Sequence, residues 1–190
     1  MTLWENEVAA QMECIQNLGE IGPDESSFDP ALFKQGMRTL ASGVSIVSTM
    51  GDDGPAGLLS TSVSSVSIDP PMLLVCINES ASAHHRVQSS GAFCVNVLAD
   101  TDQPIAERFG SAKMRAQRFR DRDWLPLVTG APALAGCLAS FDCKCVGNVE
   151  AASHTIFIGQ VVGVKQWTEG EQPLLYWDGQ YRSGMNGLHN

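Results

Sequence analysis

The chain has 190 residues, a formal net charge of −9 and a pI near 4.7. This length suffices for one domain with a sizeable hydrophobic core. The acidic balance argues against broad contact with nucleic acid or anionic lipid, because both need a basic surface. The longest apolar run, residues 72–77, is too short to span a bilayer, and Glu5 and Glu7 stand where a signal peptide would be basic. We therefore expect a cytoplasmic protein that binds neither nucleic acid nor membrane.

The first predicted elements are two helices. Apolar residues recur at helical spacing as far as Leu18, which predicts a first helix that a Gly-containing loop ends. Asp29 and Pro30 then predict the N-cap and first residue of a second helix, which should run to Gly43. We expect residues 1–28 to form a helical extension and residues 29–190 to form the main domain.

Signals for β-strands dominate after Gly43. The runs VSIVSTM and AGLLSTS flank the Asp-Gly turn of GDDGP and predict a hairpin. Five more strands are predicted by MLLVCIN, AFCVNVL, GCLASFDCKCVG, HTIFIGQVVGVKQW and PLLYW, with helical patches at SAHHRVQSSG and DQPIAERFG. Seven short strands with few helices favour a mainly β fold, a closed or nearly closed antiparallel barrel, over a parallel βαβ sheet.

The six cysteines do not predict disulfides or a metal site. Most of them lie in apolar runs, where a free cysteine behaves as a small hydrophobic residue. Cys143 and Cys145 would share one face of a strand, but no cysteine or histidine set at zinc spacing accompanies them. The G-x-G-x-x-G, G-x-x-x-x-G-K-[ST], H-E-x-x-H and G-x-S-x-G motifs are missing from the sequence, so no hydrolase is predicted.

Two polar features point to an anionic ligand. The stretch LSTSVSSVSIDPP, residues 59–71, carries six hydroxyl side chains; a buried hydroxyl without a partner costs about 1–3 kcal/mol, so the run faces water or a ligand rich in acceptor oxygens, such as phosphate. Six of the twelve Lys and Arg residues lie between Arg108 and Arg122. That local positive field suits phosphate groups, although a solvated loop paired with Asp121 and Asp123 is the alternative.

Five segments, in order and spacing, resemble the flavin reductase family. They are FKQGMRTLASGVSIVST, GLLSTSVSSVSIDPPMLLVCIN, SGAFCVNVLA, IAERF and PLLYWDGQYR, and they cover residues 30–183. The resemblance implies a split antiparallel β-barrel of the FMN-binding, Greek-key type, which forms a homodimer. It also implies a protein that binds FMN or FAD, reduces the flavin by hydride transfer from NADH or NADPH, and supplies it to a partner flavin-dependent monooxygenase.

The resemblance also implies the residues of a flavin site. The implied cofactor-binding positions are Thr61, Ser62, Val63, Ser64 and Ser65 along the ribityl chain and phosphate, Asn78, Ser80 and Ser82 in the loop after a strand, the backbone of Phe93, Val95 and Asn96 beside the ring, Phe109, Lys113 and Arg115 near the phosphates, and Tyr181 at the pocket edge. The alternatives are a solvent-facing strand for the serine-rich segment, a helix N-cap at Ser80 or Ser82, and core packing for the apolar side chains.

One histidine is implied on the nicotinamide side of the site. The family carries Gly-Asp-His before its penultimate long strand, where this chain has Ala152, Ser153 and His154. We interpret His154 as the catalytic position, against a structural histidine at a strand end. Because Ala152 and Ser153 differ from the family's glycine and aspartate, a second hypothesis is a flavin-binding sensor or carrier module without reductase turnover. One fold can host several functions. Reduction of a corrinoid or ferric complex is a third hypothesis.

Overall fold

The computed structural model of the protein describes residues 29–183, so the helix predicted before Leu18 lies outside the described residues. The described residues divide into two units, one that ends at Gly36 and one that begins at Met37. Helix α1 spans Pro30–Met37, and the Asp29 carboxylate accepts a 2.8 Å hydrogen bond from the Ala31 amide, which confirms the predicted N-cap. The prediction that this helix reaches Gly43 is wrong, because the chain is extended from Ser42 and pairs there with a later strand.

Residues 37–183 form most of the described elements. The strands are β1 Ser42–Gly43, β2 Ser45–Gly51, β3 Gly54–Ser60, β4 Val63–Ile68, β5 Pro71–Asn78, β6 Ala92–Val97, β7 Trp124–Pro126, β8 Pro132–Leu134, β9 Ala139–Ala151, β10 His154–Gln166, β11 Leu174–Trp177 and β12 Gln180–Ser183. Helices α2 and α3 span His84–Ser90 and Gln103–Gly110, and 3₁₀ turns span Asp100–Asp102 and Ala112–Gln117. No described helix is long and apolar enough to cross a lipid bilayer.

Seven strands form one antiparallel sheet in the order β3-β2-β6-β9-β10-β5-β4. Strands β3 and β4 therefore lie at its opposite edges, yet only Thr61 and Ser62 separate them in the chain. The step from Ser60 to Val63 spans at most about 11 Å. The sheet must curl until its two edges approach each other, which makes it a barrel split between β3 and β4 and confirms the predicted fold class. We call residues 60–65 the seam.

The barrel interior is filled by alternating side chains of the central strands. Val47, Val75, Val95 and Phe157 are fully buried in one cluster. The ring of Phe93 fits there because Gly159, cross-strand from Leu73, has no side chain; a Cβ at Gly159 would lie 2.5 Å from the Phe93 Cζ. A second cluster packs α3 against β2 through Phe109, Ile46 and their neighbours.

A buried polar network ties four strands together around Asn96, which is fully buried. Its Nδ2 donates to the Ile46 carbonyl at 3.1 Å and to the Ser48 hydroxyl at 3.0 Å. Its Oδ1 accepts from the Leu134 amide and from the Ser140 hydroxyl, each at 2.7 Å. Every polar atom of this amide has a partner, so the side chain fixes β2, β6, β8 and β9 in one arrangement.

The described cysteines are free thiols, and the prediction of core packing is confirmed for Cys94, Cys137 and Cys143. Burial raises the pKa of Cys137 to about 11 and that of Cys143 to about 12, and it also raises the pKa of Cys94. These three thiols therefore stay protonated and unreactive near neutral pH. Cys76 and Cys145 are half-buried, and Cys14 lies outside the described residues.

Candidate functional site

The seam exposes unused hydrogen-bond donors. The side chains of Thr61, Ser62, Ser64 and Ser65 are exposed, while Val63 is half-buried beneath them. In the described part of the chain, the Thr61, Ser62 and Ser65 hydroxyls donate to no protein acceptor, and the Ser64 hydroxyl makes only a 3.3 Å bond to its neighbour's carbonyl. The run that reads as one strand in the sequence is thus the corner between two strands, where hydroxyls face the solvent.

Two other predicted residues lie next to the seam at the same end of the sheet. Strand β5 has β4 on one side and β10 on the other, and its last residue, Asn78, pairs with His154, the first residue of β10. The Cys76 amide donates a 3.1 Å hydrogen bond to the Ser62 carbonyl, so Ser62 lies beside Cys76, two residues before Asn78 on β5. Asn78 and His154 are therefore direct cross-strand neighbours, and Ser62 lies on the other side of β5 near the same end of the sheet.

The turn before His154 contains a left-handed residue although it contains no glycine. Ala152 has φ of 53°, in the left-handed region that favours glycine. Ala152 and Ser153 form the two-residue turn between β9 and β10, and the Glu79 amide donates a 3.0 Å bond to the Ser153 carbonyl. His154 is exposed, and its Nδ1 lies 3.1 Å from the Ser153 hydroxyl.

A loop after β5 connects this end of the sheet to a basic cleft. The Asn78 Oδ1 accepts hydrogen bonds from the Ser80 amide at 2.9 Å and from the Ser80 hydroxyl at 2.6 Å, which forms a tight turn. Helix α2 begins only at His84, with Ala83 as its N-cap, so the alternative of a helix cap at Ser80 or Ser82 is wrong. Ser82 instead lines the cleft.

The basic cleft has a volume of about 240 Å³. Its charged and polar walls are Arg86, Arg115, Arg118, Asp53 and Ser82, and the ring of Phe119 closes one side. The three guanidiniums exceed the single carboxylate, so the cleft carries a positive field in an acidic protein. Within residues 29–183, the side chains of Arg115 and of nearby Lys113 have no hydrogen bond or ion pair and are free to meet an anion.

Arg118 forms the fixed floor of the basic cleft. It is 9% exposed, donates to the Gly57 carbonyl at 2.8 Å and to the Ser111 carbonyl at 3.4 Å, and lies 5.6 Å from the centre of the Phe109 ring. Burial and the charge of Arg115 lower its pKa from the usual arginine value. Its Nε is buried without a partner in the described part of the chain. An unpaired buried donor is costly, so the position of this guanidinium is maintained by its two carbonyl partners and by the Phe109 ring.

Two other basic residues of the 108–122 run serve the fold. Arg108 donates to the Arg120 carbonyl at 2.6 Å and pairs with Asp121, and Arg122 pairs at 2.9 Å with the buried carboxylate of Asp102. The alternative of a loop paired with Asp121 and Asp123 thus holds for Arg108 but not for Arg122, which pairs with Asp102 instead. From this run, Arg115, Arg118 and nearby Lys113 remain to contribute, together with Arg86, to the positive field of the site.

The structure does not bring all the predicted cofactor residues together. Phe93, Val95 and Asn96 are fully buried, and their strand β6 pairs with β2 on one side and β9 on the other, so their backbone groups lie in the sheet; we leave these three out of the site. Phe109 is a core residue that supports Arg118. Tyr181 packs near Leu59, close to the seam, and burial with Tyr176 and Glu107 raises the pKa of its hydroxyl.

Three site residues are absent from the sequence prediction. The sequence gives no signal for Arg86 or Asp53, and it indicates Arg118 only as part of the basic run. The turn GDDGP and the helix SAHHRVQSSG show no sequence signal that they meet, but in the structure Arg86 donates to the Gly54 carbonyl at 3.1 Å and lies 3.6 Å from the Asp53 carboxylate.

The arrangement is built to bind and orient a ligand. The hydroxyl donors of the seam and the arginines of the cleft together suit a ligand with a polyol and a phosphate tail. Among residues 29–183, no group of three or more His, Cys, Asp or Glu side chains is placed to hold a metal ion.

Known proteins share this fold over most of the chain. Residues 37–185 match the flavin reductase like domain family. The chain is 39% identical over 162 residues to FMN reductase (NADH) RutF 2 of Methylorubrum extorquens strain PA1, covering 85% of this chain and 94% of that protein.

Solved structures agree with this match. The NADH:FAD oxidoreductase SgcE6 of Streptomyces globisporus C-1027, in complex with NAD and FAD fragments, superposes with a TM-score of 0.74 at 29% identity over 81% of this chain and 92% of that one. The styrene monooxygenase flavin reductase of Pseudomonas putida S12 gives a TM-score of 0.72 at 27% identity over 80% of this chain and 96% of that one. The chain, with its split barrel and its polar seam, belongs to the flavin reductase like domain family.

Proposed function

We propose that this protein is an NADH-dependent flavin reductase that reduces FMN or FAD and supplies the reduced flavin to a flavin-dependent monooxygenase. The observation that carries the proposal is the pairing of exposed, unpartnered seam hydroxyls with a basic cleft lined by three arginines. The similar proteins support the reaction, since they are named FMN reductase (NADH), NADH:FAD oxidoreductase and styrene monooxygenase flavin reductase. Residence in the cytoplasm stays a prediction.

The described residues fit a phosphorylated flavin. Thr61, Ser62 and Ser65 supply hydroxyl donors for the ribityl chain, and Lys113 and Arg115 supply free positive charge for the phosphate. When bound, the flavin supplies the ring that accepts a hydride from NADH. The protein needs no nucleophile of its own for this reaction. Its task is to bind both nucleotides in one orientation and to keep the reacting rings together.

The reaction is tested by mixing the pure protein with NADH and either FMN or FAD. We expect absorbance at the reduced nicotinamide band to fall only when flavin is present. Flavin binding without NADH oxidation would instead support a flavin-binding module that does not turn over.

We propose that the seam hydroxyls bind the flavin tail. Replacing both Ser62 and Ser65 by Ala should raise the KM for FMN about 10- to 100-fold, because each hydrogen bond to an uncharged ribityl hydroxyl is worth about 0.5–1.5 kcal/mol. The kcat should change little, since these contacts are equal in the ground and transition states. Steady-state kinetics with varied FMN measure this. Ser89→Ala, on the exposed face of α2, is the matched control and should leave the KM unchanged; equal KM values in all variants would remove the seam from the site.

We propose that His154 contacts the nicotinamide side of the site. It lies beside Asn78, one strand away from the seam, and is exposed. His154→Gln should lower kcat/KM for NADH about tenfold and leave the dissociation constant of FMN within twofold, because the residue then acts on the second substrate only. His85→Gln, an exposed histidine on α2, is the matched control. A shift in FMN binding with unchanged NADH kinetics would place His154 on the flavin side instead.

We propose that two copies of the chain pair through the outer face of β5 and β10. Leu74 and Cys76 point away from the buried core residues of β5, and they lie cross-strand from Ile158 and Ile156. A sheet face with four adjacent apolar side chains is typical of a protein interface.

Size-exclusion chromatography with light scattering tests this pairing. The natural protein should elute with twice the chain mass, and Ile158→Glu should shift it to the chain mass. Leu125→Glu, an exposed leucine on β7, is the control and should leave the mass unchanged. A natural protein at the mass of one chain would refute the dimer.

A further inference from the structure

We propose that Arg86 binds the second phosphate of a dinucleotide whose tail runs along strand β3 from the seam, so that the basic cleft selects a diphosphate over a monophosphate. The inference rests on the proposed reductase function, which brings a flavin to the seam. The diphosphate has two possible sources, FAD and NADH, and the experiment separates them.

Strand β3 gives the basic cleft its length. Arg118 donates to the Gly57 carbonyl and Arg86 donates to the Gly54 carbonyl, while the strand ends at Ser60 in the seam. A strand rises about 3.3 Å per residue, so Arg118 is anchored about 10 Å from Ser60 and Arg86 about 20 Å from it. A ligand held at the seam meets Arg118 first and reaches Arg86 only with a longer tail.

The volume and charge of the cleft fit such a tail. Its volume of about 240 Å³ is more than ten times what one water molecule needs, which leaves room beyond a single phosphate group. Arg118 and Arg115 both line the cleft, and the Arg115 guanidinium has no partner among residues 29–183, so their two charges suit the first phosphate.

Arg86 adds a third cation that a monophosphate at the seam does not use. Its stem packs against Gly51, where a Cβ would lie 3.4 Å from the Arg86 Cδ, and its Nη1 holds the Gly54 carbonyl. The Asp53 carboxylate lies 3.6 Å from its Nη2, but that carboxylate is 87% exposed and the pair is weak. Arg86 is therefore oriented by the hairpin turn while its charge stays available to a phosphate.

Isothermal titration calorimetry with ADP, FMN, FAD and NADH tests this role of Arg86. We expect Arg86→Gln to weaken ADP binding at least tenfold and to leave the affinity for FMN within twofold of the natural protein. The unchanged affinity for FMN would show that the variant is folded. Arg120→Gln removes the same charge from an exposed residue of the neighbouring segment that does not line the cleft, and it should leave all four affinities unchanged. If FAD weakens with ADP, the diphosphate is that of the flavin; if NADH weakens instead, it is that of the electron donor.

Two results would overturn the inference: natural protein that binds ADP no more tightly than adenosine, or Arg86→Gln that weakens FMN as much as ADP. The proposed function fails separately. If the natural protein does not oxidise NADH with any flavin, the reductase proposal is wrong, whereas normal FMN-dependent turnover with no effect of Arg86 on diphosphates rejects the role of Arg86 alone.

Discussion

Replacing Asn96 by Leu should lower the free energy of unfolding by about 3–6 kcal/mol. The buried Leu134 amide and the buried Ser140 hydroxyl would lose their acceptor, and the Ile46 carbonyl and Ser48 hydroxyl would lose a donor. Each buried group left unsatisfied costs about 1–3 kcal/mol, and a domain of this kind has only about 5–15 kcal/mol in total. We expect the variant to retain only part of this stability, so that it unfolds at a clearly lower urea concentration than the natural protein.

Urea denaturation followed by circular dichroism measures this loss. Asn148→Leu is the matched control, because Asn148 is an exposed asparagine on the neighbouring strand β9, and its unfolding midpoint should stay near that of the natural protein. Similar midpoints for the two variants would mean that the network around Asn96 contributes nothing to stability. That result would also reopen a role for Asn96 outside the core.

A second large loss is expected from Gly159→Ala. The added Cβ would lie 2.5 Å from the Phe93 Cζ and 2.9 Å from the Cys143 Cβ, and both residues are fully buried. Overpacking of this kind costs typically about 1–3 kcal/mol and sometimes more, because neither neighbour has free space to move into. We expect the unfolding midpoint to fall by an amount at the upper end of that range.

Two further variants make this test specific. Gly147→Ala lies on the adjacent strand β9 with no atom within 4 Å of the new Cβ, and it should leave stability unchanged. Combining Gly159→Ala with Phe93→Leu should recover part of the loss, because the trimmed side chain makes room and the two effects are then not additive. Additive losses in the double variant would show that the Phe93 ring is not the obstacle.

The sequence predicts the strands of this barrel better than it predicts how they join. Hydrophobic alternation and the Asp-Gly turn locate β2, β3, β5, β6, β9 and β10, because those signals are local. The predicted helix α1 is too long, because no local signal shows that Ser42–Gly43 is a strand paired with the distant β11. The three-residue strands β7 and β8 escape prediction because they are too short to show a period.

The site shows the same division between local and distant signals. Its hydroxyls at residues 60–65 can be found from composition and family resemblance, because they are consecutive. Arg86 cannot be found in this way, because its hydrogen bond to the Gly54 carbonyl depends on how α2 packs beside the β2–β3 hairpin. The strand β6 shows the opposite case. Its segment is recognisable in the sequence, but the strand lies in the middle of the sheet, so Phe93, Val95 and Asn96 are buried there.

The position of the seam also sets when the site forms during folding. The β2–β3 and β9–β10 hairpins join neighbouring residues and can form early, whereas Ser45 must find Val97 and Asn78 must find His154. Contacts between such distant residues form slowly, because closing long loops costs chain entropy before it brings any contact. Thr61 and Ser62 meet the rest of the site only when the last of these pairings is made. A partly folded chain therefore lacks the complete nucleotide site, so ligand binding requires the fully folded protein.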